Sequence, residues 1–229
     1  MNVLAFDTCL AACSAALISG DPERCFHRFA LIDRGHSETL FPMIKAVMEE
    51  AELGFDDLDL LAVTRGPGTF TGVRAGIAAA RGFALACGVP VVSASSLEVM
   101  ALVCRERLGP SECASGFLVA HDARRGELYV QLFNTDAEAV SEPALATPGE
   151  AVALVGELSL VAGSGASLVA AEAKRADADL RAALPELVPD AAHLARLAMR
   201  RKPLDKPVSP LYLRAPDAKP QMDKHLARA

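Results

Sequence analysis

Short apolar runs open the chain: Val3 to Asp7, Ser14 to Ser19, and Cys25 to Ile32. Gly20-Asp21-Pro22 marks a turn between the second and third. Runs of this length, bounded by turn residues, predict three consecutive strands with the first two joined as a hairpin. The period then changes. From Thr39 to Leu53, apolar residues fall at Leu40, Ile44, Val47 and Ala51, with Phe41 and Met48 beside them, which is helical spacing. Gly54 is the expected C-cap, and Pro42 is expected in the first turn, starting the helix near Ser37 to Thr39. Leu58 to Thr64 follows as a fourth strand, ended by Gly66-Pro67-Gly68. A helix is predicted from about Thr71 to Cys87, closed by Gly88, then a strand over Val89 to Val92 and a helix over Ser96 to Arg107. The order is βββαβαβα.

Gly109 to Ser115 is a polar, small-residue break, after which the pattern restarts. Phe117 to His121 and Leu128 to Phe133 predict strands around a turn at Asp122 to Gly126. A short helix over Thr147 to Leu154 and a strand over Leu158 to Ala162 come next. Gly163-Ser164-Gly165 turns into an alanine-rich helix, another helix covers Ala191 to Arg200, and a proline-rich, extended tail runs from Pro203 to Pro220. A strand, an Asp, a turn and a strand recur in both halves. Two related lobes follow: 1–110, a smaller degenerate lobe over 111–215, and a tail over 216–229. Antiparallel strands leading into alternating helices and strands give an α/β fold, a mixed sheet covered by helices. That order resembles the two-lobe ASKHA superfamily of actin, hexokinase and Hsp70, a likeness of fold that does not settle function.

Composition narrows the classes. The 229 residues are 52% hydrophobic, which suits a globular chain with a sizeable core. With 29 acidic and 23 basic residues the net charge is -6, a poor balance for binding nucleic acid unaided. None of the six cysteines forms a Cys-x-x-Cys pair, and several sit in apolar runs as small buried hydrophobes. No apolar run is long enough to span a bilayer, and no basic region precedes the first one. A reduced, cytoplasmic setting is expected.

Four stretches resemble the TsaB (YeaZ) family: Leu4 to Thr8, His36 to Ile44, Thr64 to Ile77 and His121 to Tyr129. Gly66-Pro-Gly-Thr-Phe-Thr-Gly-Val-Arg74 is the most specific, and Pro207 to Arg214 resembles the family's C-terminal signature. The resemblance implies a scaffold and dimerisation subunit of the tRNA threonylcarbamoyladenosine (t6A) machinery. Such a subunit binds and activates TsaD, which transfers threonylcarbamoyl to a tRNA adenosine N6 in tRNAs that read ANN codons. It implies a TsaD heterodimer joined by the ATPase TsaE, a homodimer when alone, and contact with tRNA only through the complex. ATP and a metal ion are then used by the partner subunits, with no cofactor bound by this chain alone. TsaD carries a His-x-x-x-His metal motif after the strand that matches Val89 to Val92. By that match the histidines become Ser96 and Met100, a pair that cannot hold such a metal, so no catalytic or metal-ligating residue is expected. The same loss removes support for a peptidase.

By the fold resemblance, Asp7 and Asp122 stand where the superfamily approaches nucleotide phosphates, and Gly163 and Gly165 stand at its adenosine-side turn. Asp7 lacks a following glycine, and the alternative is that both aspartates satisfy turn backbone. A small phosphotransferase of the sugar or acetate kinase type rests on fold analogy alone. Gly66 to Gly72 lacks the Gly-Lys-Ser/Thr of a P-loop. The remaining candidates form a partner surface on two helices: His36, Leu40, Phe41, Ile44 and Val47 on the first, Gly72, Arg74, Ala75, Gly76 and Ala79 on the second. The first carries an apolar stripe wider than one core face needs, and the second carries small residues that allow close approach. Packing against the protein's own core is the alternative for both.

Overall fold

A computed structural model describes residues 1–20, 24–156 and 158–214. Its first half is β1 (Val3–Asp7), β2 (Ala12–Ser19), β3 (Arg24–Leu31), α1 (His36–Ala51), β4 (Leu60–Thr64), α2 (Phe70–Cys87), β5 (Val91–Ala94) and α3 (Ser96–Leu108). The sheet order is β3-β2-β1-β4-β5, with β1, β2 and β3 antiparallel and β1, β4 and β5 parallel. The second half is β6 (Phe117–Asp122), β7 (Leu128–Phe133), β8 (Ala144–Ala146), α4 (Pro148–Val155), β9 (Leu160–Ala162), α5 (Ala166–Arg175), β10 (Arg181–Ala183) and α6 (Ala191–Ala198). Its sheet, β10-β9-β6-β7-β8, repeats the first strand for strand and direction for direction. The whole βββαβαβα unit therefore occurs twice.

Each sheet needs cover on both faces because its central strands are apolar up to their C-terminal ends, and β1 and β4 are buried at every position. Helices α1 and α2 cover one face of the first sheet, and α4 and α5 cover one face of the second. The third helix of each unit then crosses over. Helix α3 lies on β6 and β7, while α6 lies on β1, β2 and β4. One apolar cluster consequently runs from Phe6 and Leu61 through Met100 and Cys104 to Phe117 and Phe133. A second joins the first sheet to Leu194 and Ala195 of α6.

Several boundaries differ from the sequence reading. Helix α1 begins at His36, whose ring nitrogen Nε2 lies 2.8 Å from the Leu10 carbonyl. Pro42 thus sits in the second turn, on the exposed side, where the lost backbone bond leaves a carbonyl open to water. The helix stops before Gly54 because Leu53 turns back into the core, its N–H bonding to the Met48 carbonyl at 3.2 Å. Glu52 takes the left-handed C-cap at φ 58, and Gly54 instead caps a short 3-10 turn over Phe55–Asp57. Strand β5 starts after Pro90, which has no N–H to donate. Strands β8 and β10 have three residues each, too few to show a period. Residues 191–214 do not stay with the second lobe. Beyond α6, Leu204 and Leu211 donate to the Val91 and Arg65 carbonyls at 2.8 and 2.7 Å, strapping the chain back onto the first sheet. Asp21, Pro22 and the 216–229 tail lie outside the described residues.

Candidate functional site

The parallel strands β1 and β4 end side by side, which brings Asp7 against Thr64. Asp7 is completely buried. Its Oδ1 accepts from the Thr64 hydroxyl and, at 3.3 Å, from the Cys9 N–H, while Oδ2 has no partner among the described residues. Burial pushes the carboxyl up to about 7, against the pull of the Thr64 and Cys9 hydrogen bonds. The Cys9 thiol donates to the Thr64 hydroxyl at 3.2 Å and is itself pushed well up by burial. A thiol held protonated in this way is a packing group, not a nucleophile.

The Gly66 to Gly72 loop closes over these strand ends. Thr69 donates its N–H to the Cys9 carbonyl at 2.8 Å, and Thr8 donates its hydroxyl to the Gly72 carbonyl at 2.7 Å. A Cβ on Gly68 would strike the Cys9 carbonyl, and one on Gly72 the Thr8 carbonyl. The glycines let backbone lie on backbone, the loop packing directly on residues 8 and 9. The Ser96 hydroxyl donates to the Pro67 carbonyl at 2.5 Å. Met100 is fully buried, its methyl near Gly163. The two positions matched to the TsaD histidines are thus occupied by a loop anchor and a core side chain.

The second half carries the related corner. The Ser164 hydroxyl accepts the Asp122 N–H at 3.0 Å and shares a second hydrogen bond with His121 Nδ1, also 3.0 Å away. Burial holds His121 down to about 4, hence neutral. Asp122 accepts the Arg124 N–H at 2.8 Å, closing its turn. Gly163 and Gly165 both press on the Ala120 carbonyl, and Gly163 needs its φ of 111 to do so. Asp7, Asp122 and the two glycines each have a local structural task.

The partner-surface residues divide. His36, Leu40, Ile44, Val47, Gly72, Gly76 and Ala79 are buried in this chain's own core, and Ala75 is half-buried. They can meet a partner only if the helices leave the sheet, so the stripe was a core stripe. Phe41, 52% exposed, and Arg74 remain on the surface. The structure adds neighbours that spacing could not reveal. The Phe83 ring lies 6.0 Å from Phe41 and 5.2 Å from Phe55, forming an aromatic strip across α1 and α2. Arg74 lies 3.6 Å over the Phe70 ring and donates to the Tyr212 hydroxyl at 2.9 Å, and Leu85 is 88% exposed. No group of three or more metal-ligating side chains occurs among the described residues.

A family model described as TsaD, tRNA N6-adenosine threonylcarbamoyltransferase, matches residues 30–196. The structure of YeaZ from Pseudomonas aeruginosa superposes with a TM-score of 0.78 at 29% identity, covering 93% of this chain and all of that one. The chain belongs to this family, on its TsaB (YeaZ) branch. It is 37% identical over 136 residues to the tRNA threonylcarbamoyladenosine biosynthesis protein TsaB of Escherichia coli, 59% of this chain. That match spans only 56% of the E. coli protein. An uncharacterised Mycobacterium tuberculosis protein matches at 34% identity over 226 residues, 96% of this chain and 94% of that protein. The ASKHA-like architecture expected from the element order agrees with these matches. Among the described residues, no helix of this TsaB-family chain is long and apolar enough to cross a membrane.

Proposed function

We propose that this chain is a non-catalytic subunit of the t6A machinery, which binds TsaD and holds it in its active arrangement. Such a subunit acts by binding the competent conformation of its partner better than the incompetent one. The observation that carries this reading is the filled corner at α3. Ser96 is tied to the Pro67 carbonyl at 2.5 Å and Met100 is buried in the core, and a hydroxyl and a thioether in those settings do not suit a metal ion. The buried Asp7 and the closed glycine loop give the phosphotransferase alternative nothing to rest on. The docking surface in this reading is the outer side of α1 and α2, from Phe41 and Phe55 to Phe70 and Arg74. Exposed aromatics with an ordered arginine are the composition of an interface centre. The same surface would serve a homodimer when TsaD is absent, TsaE would join the pair, and the -6 charge leaves most tRNA contact to the partners. The setting is cytoplasmic.

The test is co-purification with TsaD followed by a transfer assay on tRNA. The chain alone is expected to transfer nothing, and TsaD is expected to gain activity on its addition. Sustained turnover by the chain alone would end the reading. Phe41→Glu together with Arg74→Glu is expected to weaken TsaD pairing in size exclusion by tenfold or more, about 1.4 kcal/mol, while circular dichroism stays native. Pairing that survives both changes places the interface elsewhere.

A further inference from the structure

Apart from the strand-end corner, a groove of about 890 Å³ lies where the strap passes the edge of β5 and the mouth of α3. Neither Asp7, Asp122, Gly163 nor Gly165 lines it. Both walls are fixed by backbone. Leu204 is bonded to Val91 and Leu211 to Arg65, while Arg65 donates its own N–H to the Ala94 carbonyl at 3.0 Å.

Four arginines are half-buried among the described residues: Arg65, Arg105, Arg201 and Arg214. Three have hydrogen-bond partners, although Arg214 Nε is left without one. Arg105 donates to the Thr135 carbonyl at 2.6 Å, Arg201 to Glu98 at 2.5 Å, and Arg214 to Glu127 at 2.5 Å. Arg65 differs: it lines the groove, and its guanidinium has no hydrogen bond or ion pair to any described residue. A guanidinium whose donors are unspent, carried on a strand end fixed at the backbone, suits a planar or compact anion. Lys206, on the strap opposite, is a second cation without an ion pair among the described residues.

The remaining lining narrows the ligand. Glu98 is neutralised by Arg201, which also lowers its carboxyl through a hydrogen bond against the upward push of burial. Ser95 and Gln131 are bonded to each other at 3.3 Å, and Gln131 donates onward to the Ser141 carbonyl at 2.9 Å. The unspent groups of the floor are therefore mostly donors. On the rim, Glu142 and Asp205 are exposed acids that would oppose a highly charged ligand, and Val140 and Leu204 offer apolar lips. We propose that this groove binds a small organic anion carrying one compact acidic group, a carboxylate or a phosphate monoester, seated on Arg65 and Lys206, with an uncharged flat or apolar body under the strap. This assignment is independent of the role proposed with TsaD.

The test is an NMR titration of the full chain with benzoate, phenyl phosphate and ATP. Benzoate or phenyl phosphate is expected to saturate, with shifts centred on Arg65, Ser93 and Lys206. The tighter of the two identifies the acidic group as carboxylate or phosphate. ATP is expected to bind no more tightly than phenyl phosphate. Arg65→Gln should weaken binding about tenfold or more, the effect of losing a charge-assisted pair, and Lys206→Gln about threefold. If Arg65→Gln does not give a native spectrum, Arg65→Lys replaces it, with binding expected to weaken because the fork is lost while the charge stays. Shifts that fail to saturate, that map elsewhere, or that are unchanged in the Arg65 and Lys206 variants overturn the proposal, as does ATP binding tightest of the three.

Discussion

At the scale of single residues, Asp7 is the most exacting position. Its carboxyl is raised from 3.8 to about 7 by burial, so the group is stabilising when neutral. Its contribution is complete below the unfolded value and is lost as pH rises through about 7. Asp7→Asn removes that dependence. Between about pH 4 and pH 8, urea unfolding is expected to show the variant gaining on the native chain, by at most ~4 kcal/mol. A native-minus-variant difference that is flat with pH would mean the carboxyl is not held in the dry corner described. Gly72 tests the same corner sterically. Its missing Cβ is the space taken by the Thr8 carbonyl, so Gly72→Ala is expected to cost about 2–3 kcal/mol. Gly82 in the same helix has open space around it, and Gly82→Ala should stabilise by roughly 0.5–1 kcal/mol. Paired thermal melts of the two variants check both signs.

At the scale of elements, α1 shows how one helix separates core from surface. Ile44 is fully buried and Phe41, three residues before it, is half in water. Ile44→Glu buries a charge and is expected to unfold the chain or cost more than about 3 kcal/mol. Phe41→Glu should leave the melting midpoint nearly unchanged. Helix α6 is held by an acid–base chain. Asp190 caps it, accepting the Ala192 N–H at 2.8 Å, and stands 3.0 Å from His27. His193 stands 3.0 Å from Glu106 of α3. The neighbouring imidazoles of His193 and His27, with the Ala192 N–H, hold Asp190 far down despite burial, and the Asp190 and Glu106 carboxylates raise His193 against burial. The Asp190 contribution is present above its unfolded value and lost in acid. The His193 contribution is present below its ordinary value of 6.5 and lost as pH rises past its folded one. Their overlap places the firmest docking of α6 in mildly acid solution. His193→Gln is expected to flatten the alkaline side of the stability profile by less than about 1 kcal/mol, since Glu106 is largely exposed and screened. Asp190→Ala should cost about 1–2 kcal/mol through the lost cap.

At the scale of the whole molecule, the exchange of third helices makes the two sheets one unit. Among the described residues the helix that covers the second face of the first sheet is α6, which begins at Ala191, 97 residues after β5 ends at Ala94. A fragment of residues 1–110 therefore exposes the apolar face of β1, β2 and β4. It is expected to bind a hydrophobic dye and show no sharp melt, whereas the full chain unfolds in one transition seen alike by near- and far-ultraviolet dichroism. A cooperatively folded fragment would contradict the exchange.

Much of this was legible along the chain because it is local. Periodicity located α1, α2, α3 and the strands β1 to β7, and the recurrence of an Asp after the first strand of each half announced the duplication. That Ser96 and Met100 stand in place of a histidine pair was legible from residue type alone, whereas the Pro67 contact of Ser96 and the burial of Met100 were not. What the sequence could not specify was which neighbour each face would meet. A stripe of Leu40, Ile44 and Val47 reads the same whether it meets a sheet or a partner, and only the packing of α1 on β2 decided. The edge strands β8 and β10 are too short to carry a period, and pairing, not propensity, makes them strands. The Arg65 groove and the Arg74–Tyr212 contact join residues from opposite ends of the chain. Their proximity depends on the long-range strap, a property of the folded whole that no local pattern encodes.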